Sequence, residues 1–323
     1  MQTCRLTDLY KSCRLCPRNC NANRLAGEKG FCGENAVLRV AFAGLHCGEE
    51  PPLVGMGGSG TIFVSGCGLG CTFCQNYQIS QGGKEDESPG VAVSAEAFAG
   101  VCAALKDMGA ENINVVTGSH AVPSVAEGIN ATRKAGVQLP VLWNSSAYEK
   151  PETLELLKDH VDIFLPDLKT LDREIAAKFF NAPDYPEKAA AAILKMIEMV
   201  HKRAGENLRK SAGKKVIVRH LILPGFLEST RQVLRWFADN AKDRAQLSLM
   251  TQYTPIPNRG RPMPNRCLRE KEYETVLGWL EEFKIEDGFC QELVTGSGWL
   301  PDFRRQNPFS SELSVPVRLP SIN

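Results

Sequence analysis

The chain has 323 residues, 43% hydrophobic and 23% charged, proportions of an ordinary globular protein that exclude wholesale disorder and allow a sizeable core. Its 38 Lys and Arg balance 37 Asp and Glu, so no net field draws it to nucleic acid or anionic lipid. No apolar run reaches the roughly 18 residues of a spanning helix and MQTCRLTDLYKSC lacks a secretory signal's apolar stretch, so a cytoplasmic location is expected.

Twelve cysteines in a chain of this kind point to metal rather than disulfides. Nine of them fall in the first quarter, and seven of these form two groups. The first group, Cys13, Cys16, Cys20 and Cys32, is spaced C-x2-C-x3-C-x11-C in KSCRLCPRNCNANRLAGEKGFCG. Four thiolates so close in sequence bind a metal tightly. Two fillings fit: a tetrahedral zinc, favoured by the knuckle-like CPRNC and FCG turns, or a second 4Fe-4S cluster that passes electrons. Reduced thiols without metal are the plain alternative.

Residues 37–42 read as a strand, and 44–60 (GLHCGEEPPLVGMGGSG) as loop and turn. In that stretch His46, Glu49 and Glu50 read as a turn packed over the mouth of the fold rather than as a metal triad. From residue 61 short apolar runs alternate with helical patterns. Strands are expected at 61–65, 113–116, 140–143, 161–165, 215–223 and 246–250. Helices are expected near 94–108, 123–134, 151–159, 187–204, 228–241 and 270–283, with Ser94 as an N-cap and Gly109 and Gly136 as stops. Such alternation implies a parallel α/β sheet, and six units suit either a partial (β/α)6 TIM-like barrel or a doubly wound sheet. The expected organisation is a cysteine-rich segment at 1–45, a barrel at 46–295 and a tail at 296–323 packed on it.

The second cysteine group follows the first of these strands. GCGLGCTFCQN spaces Cys67, Cys71 and Cys74 as C-x3-C-x2-C, with Phe73 before the last cysteine. Chance supplies only about 0.02 such triplets in a chain of this cysteine content. Three thiolates on a glycine-rich loop reach three corners of a 4Fe-4S cubane and leave one iron without a protein ligand. Zinc prefers four protein ligands.

The triplet with Phe73 resembles the signature of the radical S-adenosylmethionine (SAM) superfamily. More narrowly, the chain resembles the pyruvate formate-lyase activating enzymes and an uncharacterised family of iron-sulfur homologues. The resemblance runs through CRLCPRNC, EEPP, GSGTIFVSGC, CQNYQIS, LPDLK, RHLILPG and QYTPIP. It implies that a 4Fe-4S cluster cleaves SAM reductively to methionine and a 5′-deoxyadenosyl radical, which takes hydrogen from a substrate. It implies an electron donor such as flavodoxin or ferredoxin.

By the same resemblance, Gly118 and Ser119 in TGSH stand where a backbone motif holds the SAM amino group, although His120 departs from the usual Gly-Gly-Glu ending. Asn144, Ser145 and Ser146 stand near the SAM ribose or carboxylate. Asp167 and Lys169 of LPDLK stand near the SAM carboxylate; alternate strand residues share a face, so both can point inward. Arg219 and His220 lie on opposite faces of their strand, so at most one faces the cavity, and Gln252 or Tyr253 is placed to close it. Ile163 and Leu165 read as core. Cys4, Cys47, Cys102, Cys267 and Cys290 show no ligand spacing and read as small buried or half-buried hydrophobes. Three functions fit: an activase acting on a glycyl radical enzyme, a radical enzyme acting on a small molecule or cofactor precursor, and a non-catalytic metal-binding scaffold.

Overall fold

The computed structural model describes residues 5–80, 89–204, 215–256, 260–294 and 296–319; Cys4 and the end of the tail lie outside them. Two 3-10 turns, Leu6–Tyr10 and Arg24–Ala26, open the chain. Strand β1 (Arg39–His46), the short α1 (Pro51–Val54), β2 (Ser59–Val64), α2 (Tyr77–Ser80) and β3 (Val91–Ala92) follow. Regular alternation then begins: α3 (Ala95–Asp107), β4 (Ile113–Val116), α4 (Val122–Lys134), β5 (Val141–Ser145), α5 (Pro151–Leu154) and β6 (Ile163–Pro166). The second half holds α6 (Arg173–Phe180), α7 (Tyr185–Ala204), β7 (Ile217–Leu221), α8 (Leu227–Asn240) and β8 (Gln246–Met250). It closes with α9 (Glu270–Glu282), β9 (Gly288–Cys290) and β10 (Ser314–Pro316).

Strands β2, β4, β5 and β6 pair in parallel in that order, and β7, β8 and β9 form a second parallel ladder. Single parallel bridges, Phe164 to Val216 and Asp167 to Arg219, carry the curve from β6 to β7. Six of these strands, β2 and β4 to β8, are each followed by a helix, so the chain folds as a partial (β/α)6 barrel. Both faces of such strands are covered, which is why β2 and β4 are buried along their whole length. Among the described residues no pairing joins β9 to β1 or β10, and the barrel stays open. No described helix is long and apolar enough to cross a membrane.

Local chemistry sets the helix ends. The Ser94 side chain accepts from Ala97 N–H at 3.1 Å to start α3, and Gly109, at φ 93°, ends it. Asp172 caps α6 by accepting from Glu174 and Ile175 N–H, and Asn181 closes that helix in the left-handed region at φ 48°.

The expectation of loop across 44–60 is corrected at both ends. Strand β1 runs on to His46 antiparallel to β2, and Ser59 and Gly60 already belong to β2. Gly44 is there for close approach rather than for a turn: a Cβ on it would lie 2.6 Å from the Val315 carbonyl oxygen. That carbonyl belongs to β10, which pairs antiparallel with β1 and brings the tail onto the sheet. Phe303 and Phe309 of the tail complete an aromatic cluster with Phe42, Phe63 and His46. The helix α6 is a further departure, since its eight residues were not expected as an element.

Candidate active site

The loop after β2 turns on Gly66 and Gly70, at φ 83° and 71°, and carries Cys67, Cys71 and Cys74. Cys71 is buried and the other two are partly so. Leu69 N–H points at Cys67 Sγ at 3.4 Å, and the Ser80 hydroxyl points at Cys74 Sγ at 3.3 Å. Burial pushes the Cys71 thiol far up, opposed by Lys169 and reinforced by Cys74 and Cys67. Burial and Cys67 likewise raise Cys74.

Thiols held so close, with donors aimed at their sulfurs, would repel one another as thiolates unless a cation sits among them. This donor set suits a cluster. Among the described residues no three Cys, His, Asp or Glu side chains are set around a single metal ion; a cubane asks instead for one thiolate at each of three corners.

Cys71, Phe73 and Cys74 line a cleft of about 230 Å³ together with Asn144, Asp167 and Lys169. Phe73 is fixed by edge contacts with Phe179, Phe180 and Tyr253. Lys169 Nζ donates to Asp167 Oδ2 at 2.6 Å. Tyr185 steadies this strand end, accepting from Lys169 N–H at 2.9 Å and lying 2.7 Å from the Asp167 carbonyl as donor. Burial alone would lower the Lys169 pKa, but Asp167 and then Cys71 carry it upward, so the ammonium is retained.

Other expected residues lie elsewhere. Gly118 packs under Trp143, whose ring is 2.5 Å from where a Cβ would stand. Ser145 donates to Glu149 Oε2 at 2.7 Å, and Trp143 Nε1 donates to Oε1 at 2.8 Å. Ser119 also hydrogen-bonds to this buried Glu149. Gly118, Ser119 and Ser145 do not line the cleft. His120 is buried, with Nε2 2.8 Å from the Ser65 carbonyl. His220 is turned outward against Leu168 and Thr230, so Arg219 is the member of that pair that faces the cleft.

Arg219 reveals a cluster that sequence reasoning missed. Its Nη2 lies 2.8 Å from Glu49 Oε2 and its Nε 2.9 Å from Glu50 Oε1, with all three side chains largely buried. Glu49 and Glu50 are therefore inside the barrel rather than a turn over its mouth. Burial would lower the Arg219 pKa, but Glu49, Glu50 and Asp167 raise it. The one available signal was two consecutive acids separated by three residues from the apolar run that ends at Leu45. Gln252 lines the cleft, while Tyr253 is buried and donates to the Pro264 carbonyl.

The first cysteine group docks on the second. A Cβ on Gly68 would lie 3.3 Å from Cys16 Sγ, and Cys67 N–H donates to the Cys32 carbonyl at 3.4 Å. Arg18 clamps the join, donating to the carbonyls of Gly68, Leu69, Phe180 and Asn181. Burial pushes Cys16 up to about 12 and Cys32 up to about 11. Arg24, only 2% exposed, donates to the His120 and Asn35 carbonyls and points Nη1 at Cys13 Sγ at 3.6 Å. Of the remaining cysteines Cys102 is buried and Cys267 half-buried, but Cys47 and Cys290 are exposed, against expectation. Both line a second cavity beside the cleft.

Fold and cleft together define a partial-barrel protein whose three-cysteine loop puts two thiols, Cys71 and Cys74, at an acid–base-lined opening. The sequence model of the Radical SAM superfamily matches residues 61–237, and the chain belongs to that superfamily. Membership makes it an enzyme; SAM cleavage and a 4Fe-4S cluster are general to the superfamily. An uncharacterised protein of Methanocaldococcus jannaschii is 29% identical over 283 residues, which cover 86% of this chain and 77% of that one. Streptococcus suis SuiB bound to SAM aligns at 14% identity and a TM-score of 0.49 over 70% of this chain and 48% of SuiB, so the chain spans about half of SuiB's length. Methylornithine synthase (PylB) aligns at 16% identity and a TM-score of 0.46 over 79% of this chain and 74% of its own. At these scores neither structure bears on this chain's substrate.

Proposed function

We propose that Cys67, Cys71 and Cys74 hold a 4Fe-4S cluster, that SAM binds in the adjoining cleft, and that the chain takes hydrogen from a small-molecule substrate. The observation carrying this reading is one cleft lined at once by Cys71, Cys74, Asn144 and the Asp167–Lys169 pair. When bound, the cluster supplies the electron that cleaves SAM to methionine and a 5′-deoxyadenosyl radical. The chain's own share is placement and exclusion of water. Lys169, held protonated, offers a cation to the SAM carboxylate, and Asp167 fixes the direction of that ammonium. Asn144 offers an amide to the ribose or carboxylate. Phe73, locked among three rings, keeps the loop's last turn rigid beside Cys74. Gly118, Ser119 and Ser145 support this site from behind, through Trp143 and Glu149.

Cys13, Cys16, Cys20 and Cys32 are proposed to hold a second metal or cluster. The buried Arg24 favours this: a guanidinium hydrogen-bonded, among the described residues, to neutral carbonyls and a cysteine sulfur is best balanced by thiolates. The activase reading rests on the sequence resemblance to pyruvate formate-lyase activating enzymes. The cavity of about 530 Å³ beside the cleft favours a small molecule over a partner's backbone glycine. A flavodoxin or ferredoxin is the proposed electron donor.

Anaerobic reconstitution with iron and sulfide, followed by dithionite and SAM, is expected to yield 5′-deoxyadenosine. Its persistent absence with the cluster intact would overturn the proposal. Cys71→Ala is expected to lose the cluster's visible absorbance and the product together. Replacing Cys13 and Cys16 by Ser is expected to lower bound metal while leaving the triplet's absorbance; equal metal content in both proteins would count against the second centre.

A further inference from the structure

The cavity beyond Arg219 adjoins the thiol-lined cleft without containing its cysteines. Its volume of about 530 Å³ suits a small molecule. One wall is apolar, formed by Leu249, Met250, Phe289 and Trp299. Another part of the lining is charged. There a single guanidinium faces two carboxylates, at 2.8 Å and 2.9 Å, and one negative charge is left over. Glu49 is satisfied, since its Oε1 also accepts from Asn114 Nδ2 at 3.1 Å. Glu50 is not. Its side chain is 4% exposed, and its Oε2 is buried without a hydrogen-bond partner among the described residues.

The adjacent donor is Arg219 Nε, 2.9 Å from Glu50 Oε1 and itself without a hydrogen-bond partner, but this one guanidinium is divided between two acids. Lys169 Nζ is turned toward Asp167 at 2.6 Å and makes no ion pair with Glu50 among the described residues. Burial holds His46 below its ordinary range, which leaves it neutral near pH 7. A buried carboxylate oxygen with no donor is destabilising, and a ligand that donates to it relieves that penalty. An anionic ligand would meet the unbalanced carboxylate, because Arg219 is already shared between two acids.

We infer that this cavity is the substrate site and takes an amine, its protonated nitrogen against Glu50 and its apolar body against Phe289, Met250 and Trp299. Glu49, Arg219, Met250, Gln252 and Trp299 line both spaces, so a molecule anchored at Glu50 lies beside the cleft proposed for SAM. The inference rests on the proposed function for the ligand's fate, while binding is read without turnover.

Phenethylamine is titrated calorimetrically into the full chain, with 2-phenylethanol and 3-phenylpropionate as neutral and anionic counterparts of similar size. Phenethylammonium is expected to bind about tenfold tighter than the alcohol, with the carboxylate weakest. Equal affinities, or preference for the anion, overturn the inference. Glu50→Gln is expected to erase the preference for the ammonium, and a folded variant that keeps it also overturns the inference. Should that variant fail to fold, judged by circular dichroism, the wild-type series still decides. Repeating the titration with SAM present is expected to leave phenethylamine affinity unchanged; competition would make the cavity part of the SAM site and remove the substrate assignment. Absence of 5′-deoxyadenosine bears on the proposed function alone, since no amine titration depends on SAM cleavage.

Discussion

His220 carries the clearest pH consequence of any single residue. Its Nδ1 donates to the Leu168 carbonyl at 2.7 Å and its Nε2 lies 3.0 Å from the Thr230 hydroxyl, so the neutral ring is fully used. Burial holds its pKa down to about 4, against roughly 6.5 in an unfolded chain. Between those values the unfolded state binds more protons, so stability is lost as pH falls from 6.5 toward 4. At pH 5 the loss relative to pH 7 is about 2 kcal/mol. His220→Gln is expected to reduce the difference in unfolding free energy between pH 7 and pH 5 by about that amount, read from urea melts. An unchanged difference would show that other groups set the slope.

At this scale the sequence was readable where spacing is local. Cys67, Cys71 and Cys74 sit within one loop, and Asp167 and Lys169 share a face because strand residues alternate. The Glu49 and Glu50 pairing with Arg219 was not readable, because those residues lie far apart in the chain and meet only when β7 curls against the segment after β1. Ser119 and Ser145 were assigned by their place in a motif, yet their hydroxyls serve Glu149, whose role depends on burial that no motif records.

Among the elements, β1 and β10 hold the most testable contact. Gly44 lets β10 approach, and a methyl there would meet the Val315 carbonyl at 2.6 Å and the Pro316 Cα at 3.0 Å. Gly44→Ala is expected to cost about 1–3 kcal/mol and to speed proteolysis within residues 296–319. A variant as stable and as protected as the parent would mean that β10 contributes little. Most other elements were legible because β4 and β8 are short apolar runs bounded by turns, and α3 begins on a serine and ends on a glycine. The glycine-rich stretch misled because glycine marks close approach as well as turns. Helix α6 escaped notice because eight residues give little more than two turns of periodicity.

The whole molecule is a curled sheet, parallel through its βα units and antiparallel where β1 meets β2 and β10, whose opening is roofed by the tail. Trp299, Pro301, Phe309 and Leu313 line the cleft, and Phe303 and Phe309 cover Phe42 and Phe63. A chain ending at residue 295 is therefore expected to bind the dye ANS more strongly and to melt at lower temperature, with the barrel's far-ultraviolet dichroism largely kept. Unaltered dye binding would show that the aromatic cluster is covered by something else. The βα alternation announced this architecture, but closure by the tail depends on contacts between the two ends of the chain, which periodicity does not carry.

The pairing of β10 with β1 also fixes an order of events during biosynthesis. A chain leaving the ribosome presents both cysteine groups and then the run of parallel strands before the covering segment has been made. Until residues 314–316 have been made, the outer edge of β1 at Gly44–His46 lacks this antiparallel partner, and an open strand edge invites pairing with the wrong chain.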